Sequence, residues 1–179
     1  MGAARRVGLA LGSNVGDRLA HLRQGMAELL LRLPQLKILA VAPIYETDPV
    51  DCTPDSGAFY NTVMEVEWEG DPRELRRHTE AVEWAQGRPK QRPRNAPRVL
   101  DLDLLYAGDW VLRGDAELEL PHPRLAERRF VLEPLAAIRP DLVLPGQTRT
   151  VAQLLQGLPP ETLRQVWDET WLADGQDAV

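Results

Sequence analysis

The chain has 179 residues, of which 44% are hydrophobic and 27% charged, and its formal net charge at pH 7 is −6. This length predicts one domain with a hydrophobic core, and no apolar run reaches the roughly 18 residues of a membrane-spanning helix. The single cysteine excludes an internal disulfide and indicates a reducing, cytoplasmic location, while the negative charge argues against general nucleic-acid binding.

The first part of the chain alternates strand and helix patterns. Residues 7–11 predict a strand, and a Gly/Asn/Asp turn separates it from a helix whose leucines recur at helical spacing until Pro34. Residues 36–45 predict a second strand, kinked or ended near Pro43. A Pro-, Asp- and Gly-rich loop follows at 46–58.

The same alternation continues through residue 107. Residues 59–68 predict a third strand from their aromatic and β-branched content. Asp71 and Pro72 predict the start of a helix that ends near Gly87, and residues 99–107 predict a fourth strand. The resulting β-α-β-β-α-β order predicts an α+β fold with a ferredoxin-like core, a mainly antiparallel sheet and two helices on one face.

The C-terminal third predicts additions to this core. We expect a hairpin around residues 113–115, a helix over 129–138, a short strand at 142–144 and a small helix capped by Thr150. We expect a single domain over residues 1–167 and a partly disordered tail over residues 168–179.

Two aspartates, Asp101 and Asp103, interrupt the apolar run of the fourth predicted strand. Residues two apart in a strand point to the same face, so both carboxylates project together. Buried carboxylates are costly unless they are paired, hydrogen-bonded or bound to metal, and Mg²⁺ commonly takes one or two of them together with phosphate oxygens. The alternative is a pair of solvated carboxylates on an edge strand, or partners for nearby arginines.

A concentrated basic segment stands immediately upstream of these aspartates. Its cations are Arg88, Lys90, Arg92, Arg94 and Arg98, and no acidic residue lies between Glu83 and Asp101. A basic segment in an acidic protein predicts a specific anion site, and arginines beside a metal site suit phosphoryl transfer. A solvated charge run is the alternative. We expect segments 46–58 and 87–97 to close over this site.

Several short segments occur together and in order along the chain. They are ALGSN (10–14), YETDPV (45–50), FYN (59–61), Glu83 with GR (87–88), APRVLDLDLL (96–105), LPHP (120–123) and RRF (128–130). Together they resemble the family of 6-hydroxymethyl-7,8-dihydropterin pyrophosphokinases, enzymes of folate biosynthesis, over residues 7–158. The segment PR-x-LDLDLL followed by PHP and R-x-F is specific to that family.

The resemblance implies that the β,γ-pyrophosphoryl group of ATP passes to the pterin hydroxymethyl oxygen, giving AMP, with two Mg²⁺ ions bound by Asp101 and Asp103. Arg88 and Arg98 would act in catalysis on the nucleotide phosphates. The other residues assigned to ATP are His122, Arg128 and Glu83, of which Glu83 is equally compatible with a structural role. The residues assigned to pterin are Thr47, Val50, Phe59, Asn61 and Phe130, with the two phenylalanines stacking on the ring.

The expected partners are these two small molecules, with no nucleic acid, no membrane and a monomeric chain. Two other functions remain open on the residues alone. One is a ferredoxin-like RNA- or metabolite-binding module without catalysis, which exposed aromatics on a broadly basic sheet would favour. The other is a kinase that releases ADP, which the identity of the product nucleotide distinguishes.

Overall fold

The computed structural model describes residues 2–48, 57–87, 98–161 and 163–173. The predicted site residues Val50 and Arg88, and most of the two segments expected to close over the site, lie outside these ranges. No helix in the described ranges has the length and apolar character needed to cross a membrane.

The elements follow the predicted order and add several at the C-terminus. They are β1 (Arg5–Ser13), α1 (Arg18–Arg32), β2 (Lys37–Val41), β3 (Ile44–Thr47), β4 (Phe59–Trp68), α2 (Pro72–Ala85), β5 (Asp101–Ala107), a 3₁₀ turn (Leu125–Glu127), α3 (Arg129–Ile138), α4 (Val151–Gln156) and β6 (Arg164–Trp167). The strands form one sheet in the order β5-β1-β4-β3-β6, and β2 also pairs with β4. All of these pairings are antiparallel, which confirms the α+β, ferredoxin-like prediction.

The second predicted strand, residues 36–45, is two strands. Pro43 has no N–H to donate to a ladder, so β2 ends at Val41 and β3 begins at Ile44. Between the two strands, the carbonyl of Ala42 accepts a hydrogen bond from the Thr62 hydroxyl. The break lets the two halves of the predicted strand pair with successive parts of β4.

The sheet is covered on both faces. The apolar side chains of α1 and α2 pack on one face with Leu102 and Leu104 of β5, as the prediction of two helices on one face requires. The side chains of α3 and α4 pack on the other face with Val63 and Leu105. The alternation along β5 therefore sends its leucines at 102 and 104 into one core and its aspartates to the opposite side.

The C-terminal predictions have mixed outcomes. The helix at 129–138 is confirmed as α3, and the hairpin is reduced to one bridge between Leu112 and Leu120. No strand forms at 142–144; the Leu142 carbonyl instead accepts the N–H of Val151 at the start of α4. Beyond residue 167, the Trp171 side chain is fully buried in the core formed with α1 and α2. Packing therefore extends into the segment predicted as a tail.

Candidate active site

A cavity of about 360 Å³ lies on the sheet face that carries α3. Its walls come from β1, β3, β4, β5, the 120s loop, α3 and the segment before β6. Nine of the residues selected from the sequence line it: Thr47, Phe59, Asn61, Arg98, Asp101, Asp103, His122, Arg128 and Phe130. Segments that are distant in sequence thus contribute to one site.

Asp101 and Asp103 lie on β5 with their side chains on the cavity side of the sheet. On the adjacent strand β1, Asp101 faces Gly12 and Asp103 faces Ala10. These two small residues also line the cavity, so space remains above the carboxylates. The pairing of β5 with β1 therefore places two carboxylates on one side of the cavity and leaves room for a ligand next to them.

Arg98 precedes β5 and is fixed at both its backbone and its side chain. Its N–H donates to Asn14 Oδ1 at 2.6 Å, and its carbonyl accepts the N–H of Asn14 at 3.0 Å. Its Nη1 donates to Asp101 Oδ2 at 2.8 Å. No described residue accepts from its buried Nε, which leaves one donor of a cavity-lining cation for a ligand oxygen.

His122 and Arg128 place further donors close to Asp103: the N–H of His122 donates to the carbonyl of Leu105 on β5 at 2.7 Å, and Asp103 acts on the pKa of both groups. Burial lowers the pKa of His122, Asp103 acts in the opposite direction, and Arg128 and Arg124 lower it further. The N–H of Arg124 donates to His122 Nδ1 at 3.2 Å, so the neutral ring carries its proton on Nε2. Burial also lowers the pKa of Arg128, although a guanidinium stays charged at neutral pH. This wall combines fixed positive charge with a neutral imidazole donor.

Asn61 provides a polar side chain at the end of the cavity away from Asp101 and Asp103. It lies on β4 between Gly12 on β1 and Tyr45 on β3, and its Nδ2 donates to Thr47 Oγ1 at 2.7 Å. A Cβ at Gly12 would lie only 2.9 Å from Asn61 Oδ1 and 3.7 Å from Phe59 Cδ1. Glycine is therefore needed at position 12 for the amide to keep this position.

Two aromatic side chains enter the cavity from different elements. Phe59 begins β4, and Phe130 lies in the first turn of α3. The Arg128 guanidinium lies 5.4 Å from the centre of the Phe130 ring, which places a cation beside one aromatic wall. The cavity therefore offers two flat apolar surfaces, of which Phe59 lies close to Asn61, together with the two carboxylates of β5. This arrangement suits a planar ring that carries or receives a phosphate.

Glu83 lies apart from this cavity. It is 1% exposed on α2, and its Oε2 accepts the N–H of Leu102 at 3.4 Å while Arg76 Nη1 donates to Oε1 at 3.5 Å. Leu102 belongs to the edge strand β5, so Glu83 joins α2 to that edge. These contacts give Glu83 a structural role, and its contact with ATP stays a prediction.

The sequence reasoning missed several residues that line the cavity. Gly12 and Arg129 were identified only as parts of motifs, and four further residues were not singled out: Arg124, Glu127, Glu161 and Leu163. Glu161 and Leu163 follow α4 and reach the cavity only because β6 pairs with β3. No local sequence pattern around residue 161 predicts that β6 pairs with β3.

The donor set suits a hard divalent cation held jointly with a ligand. The described residues contain no cluster of three or more His, Cys, Asp or Glu side chains able to hold a metal ion. Asp101 and Asp103 supply two carboxylates on one face, and Mg²⁺ typically combines one or two carboxylates with phosphate oxygens and water. The two aspartates therefore fit Mg²⁺ bound together with a phosphate-bearing ligand.

Comparisons with known proteins place this arrangement in context. Residues 8–140 match the family model described as 7,8-dihydro-6-hydroxymethylpterin-pyrophosphokinase (HPPK). A protein of Methylorubrum extorquens named 2-amino-4-hydroxy-6-hydroxymethyldihydropteridine pyrophosphokinase is 40% identical over 162 residues, which cover 90% of this chain and 98% of that protein. The Folic acid synthesis protein fol1 of Schizosaccharomyces pombe is 35% identical over 156 residues, or 87% of this chain.

Among solved structures, the fold is similar to that of a Plasmodium falciparum HPPK-DHPS crystal structure with pteroate, at a TM-score of 0.64 and 13% identity over 86% of this chain. The chain spans 21% of the length of the S. pombe protein and 41% of the P. falciparum chain. The similarity to these two longer proteins is therefore confined to one part of each.

Proposed function

The chain belongs to the 7,8-dihydro-6-hydroxymethylpterin-pyrophosphokinase family, and from this premise we propose that it transfers pyrophosphate from ATP to 6-hydroxymethyl-7,8-dihydropterin. The hydroxymethyl oxygen forms a bond to the β-phosphorus of ATP, and the bond from that phosphorus to the α,β-bridging oxygen breaks. AMP leaves with the bridging oxygen, and the hydroxyl proton is released. The product is the pterin diphosphate used in folate biosynthesis.

What supports this proposal is one cavity that joins a ring-binding end to a phosphate-binding end. Asn61 offers an amide oxygen and an amide nitrogen, and Thr47 holds that nitrogen at 2.7 Å, so the oxygen faces the ligand as an acceptor for the pterin amino group. Phe59 and Phe130 line the same cavity, and we assign them to the two faces of the bicyclic ring. From the family resemblance we also assign Val50, which lies outside the described residues, to the pterin.

The triphosphate occupies the end lined by Asp101, Asp103, Arg98, His122 and Arg128. We assign two Mg²⁺ ions to the two aspartates. Bound there, the ions supply positive charge to the phosphate oxygens. With the ions bound, Asp101 and Asp103 would hold the nucleotide phosphates beside β5, near the pterin on β4.

Arg98 and Arg88 act on the charge that develops during transfer. The Arg98 side chain is oriented by Asp101 and its backbone by Asn14, so little reorganisation is needed when a phosphate arrives. Fixed donors aimed at developing charge commonly contribute about 10²–10³ in turnover. Arg128 and His122 bind the nucleotide from the loop beside Asp103, with the neutral imidazole acting as a donor through Nε2.

The purified chain tests this function with ATP, Mg²⁺ and 6-hydroxymethyl-7,8-dihydropterin. We expect AMP and diphosphorylated pterin in equal amounts. The matched control is the 6-methyl pterin, which lacks the attacking oxygen and should yield no AMP. Release of ADP would instead support the kinase alternative, and pterin binding with no nucleotide turnover would support a binding module. We further propose that the chain acts as a cytoplasmic monomer.

A further inference from the structure

The wall of the cavity includes a segment from beyond the part of the chain that matches the family model. That match covers residues 8–140, whereas Leu163 and Glu161 line the cavity. Leu163 is half-buried, although it lies in a short stretch that precedes an edge strand. An apolar side chain in this position is either part of the general packing or a contact for the bound ligand.

The register of β6 places Leu163 at the ring-binding end. Arg164 pairs with Glu46 and Gln165 pairs with Tyr45 in an antiparallel ladder. Leu163 precedes Arg164 and Thr47 follows Glu46, so the ladder brings Leu163 beside Thr47. Thr47 is the residue that accepts the hydrogen bond from Asn61. Leu163 therefore lies next to the polar pair assigned to the pterin.

The segment is fixed to the body of the protein on both sides of Leu163. Before it, Arg129 Nη2 donates to the carbonyl of Pro159 at 2.8 Å. After it, Arg164 pairs with Glu46 at 2.9 Å. Farther along, the buried Trp171 donates from Nε1 to the carbonyl of Ala42 at 2.9 Å. A wall held in this way presents a defined surface to a ligand.

The side chain of Leu163 is separate from the apolar core that Val166 contacts. Val166, three residues later, packs against the core formed with α1 and α2, on the opposite face of the sheet. Leu163 belongs to neither apolar core cluster and instead lines the cavity. The side chain thus has a surface available to a ligand, and Val166 in the following strand β6 offers a natural comparison.

We propose that Leu163 is a specificity-determining residue that contacts the pterin substrate, and that residues 158–161 and 163–167 complete the pterin site. This inference rests on the proposed pyrophosphokinase function. The ligand that Leu163 contacts is the planar, partly apolar pterin ring, because the charged groups that suit ATP lie toward β5. Leu163 packs against the edge of the ring beside the Asn61–Thr47 pair and excludes water from that hydrogen bond.

The test compares Leu163→Ala with Val166→Ala by steady-state kinetics and by calorimetric titration of the pterin. We expect Leu163→Ala to raise the KM and Kd for pterin about tenfold, in the range known for lost apolar contacts, with the KM for ATP unchanged. Leu163→Met keeps the volume and should retain near-normal pterin binding. Val166→Ala should lower the melting temperature without changing the KM for pterin.

The outcomes separate this inference from the function on which it rests. An active wild type with an unchanged pterin KM in Leu163→Ala contradicts the inference and leaves the proposed function intact. An equal rise of the pterin and ATP KM values also contradicts it, because a general distortion would then explain the effect. A wild type that forms no AMP contradicts the proposed function and the inference together.

Discussion

The Arg98 guanidinium donates from Nη1 to the Asp101 carboxylate at 2.8 Å, across one turn of chain at the start of β5. Both side chains are partly exposed, at 27% and 17%. Paired charges with this much exposure contribute about 0–1 kcal/mol to stability. The pair therefore orients two charged groups at the cavity more than it holds the fold together.

Arg98→Ala should lower turnover much more than it lowers stability. Alanine keeps the backbone hydrogen bonds to Asn14, whereas the cavity loses one positive charge near the proposed phosphates. We expect kcat to fall by about 10²–10³, with unfolding free energy changed by about 1 kcal/mol or less. AMP-release kinetics and chemical denaturation measure the two effects.

Arg73→Ala is the matched control, because Arg73 also forms an ion pair, with Asp115 at 2.8 Å, and does not line the cavity. It should leave kcat unchanged. Normal turnover in Arg98→Ala together with a large loss of stability would reassign Arg98 to a structural role.

Asn61→Ala should weaken pterin binding and leave ATP binding nearly intact. The substitution removes the acceptor proposed for the pterin and the donor to Thr47. Loss of a partner for a buried polar group costs about 1–3 kcal/mol, which corresponds to roughly fivefold to 150-fold in Kd. Calorimetry with each ligand separately distinguishes the ends of the cavity, and equal losses for both ligands would place Asn61 outside the pterin end.

Asn14→Ala should disturb the position of Arg98 just before β5. Asn14 is almost fully buried, accepts the N–H of Arg98 and donates from Nδ2 to the carbonyl of Gly57 at 3.4 Å. Removal of Oδ1 leaves the Arg98 N–H without its partner, which should cost about 1–3 kcal/mol of stability and lower kcat by displacing the guanidinium. Thermal melting and AMP release are the measurements. Asn14→Asp keeps the acceptor and should recover most of the kcat; equal loss in both variants would argue that the Arg98 contact is unimportant.

The loss of stability at alkaline pH should depend on Tyr106. Its hydroxyl donates to the fully buried Glu65 at 2.6 Å, and burial followed by Glu65 raises its pKa above the ordinary value. Above about pH 10 an unfolded tyrosine loses its proton while the native one keeps it, so unfolding free energy should fall as pH rises through that value. The stabilising contribution is complete below that pH.

Tyr106→Phe should abolish this part of the pH dependence and lower stability at pH 7 by about 1–3 kcal/mol, because Glu65 loses a donor. Glu65 keeps its ion pairs with Arg6 and Arg139, so the variant should still fold. Urea denaturation between pH 7 and pH 11 provides the measurement. Identical pH slopes for the variant and the wild type would contradict the assigned role of the hydroxyl.

Local sequence patterns predicted the parts of the site that depend on a single element. The two-residue spacing of Asp101 and Asp103 placed them on one face of a strand, and α3 follows from periodicity over 129–138. The break between β2 and β3 was only partly foreseen, because Pro43 marks a kink without showing whether one strand or two result.

Features made by residues distant in sequence could not be read from local patterns. Glu65 looks like an ordinary alternating residue of β4, yet its partners Arg6, Tyr106 and Arg139 come from three other segments. Trp171 lies in a stretch that composition marks as a tail, but it is buried against residues more than 100 positions earlier, including Ala42. Leu163 enters the cavity through the pairing of β6 with β3, which carries no local signal.

The central claim is that Asp101 and Asp103 hold a metal–nucleotide complex, and Asp103→Asn tests it most directly. The variant keeps the shape of the side chain and removes one negative charge from the cavity. The measurement is AMP release across a Mg²⁺ titration, with thermal melting in the absence of metal, beside Asp109→Asn as a control carboxylate at the exposed end of β5. We predict that Asp103→Asn needs much more Mg²⁺ and turns over far more slowly while its melting temperature is unchanged or higher, because repulsion from Asp101 is relieved. A much lower melting temperature with unchanged Mg²⁺ dependence would contradict the account and make Asp103 a structural ion-pair partner.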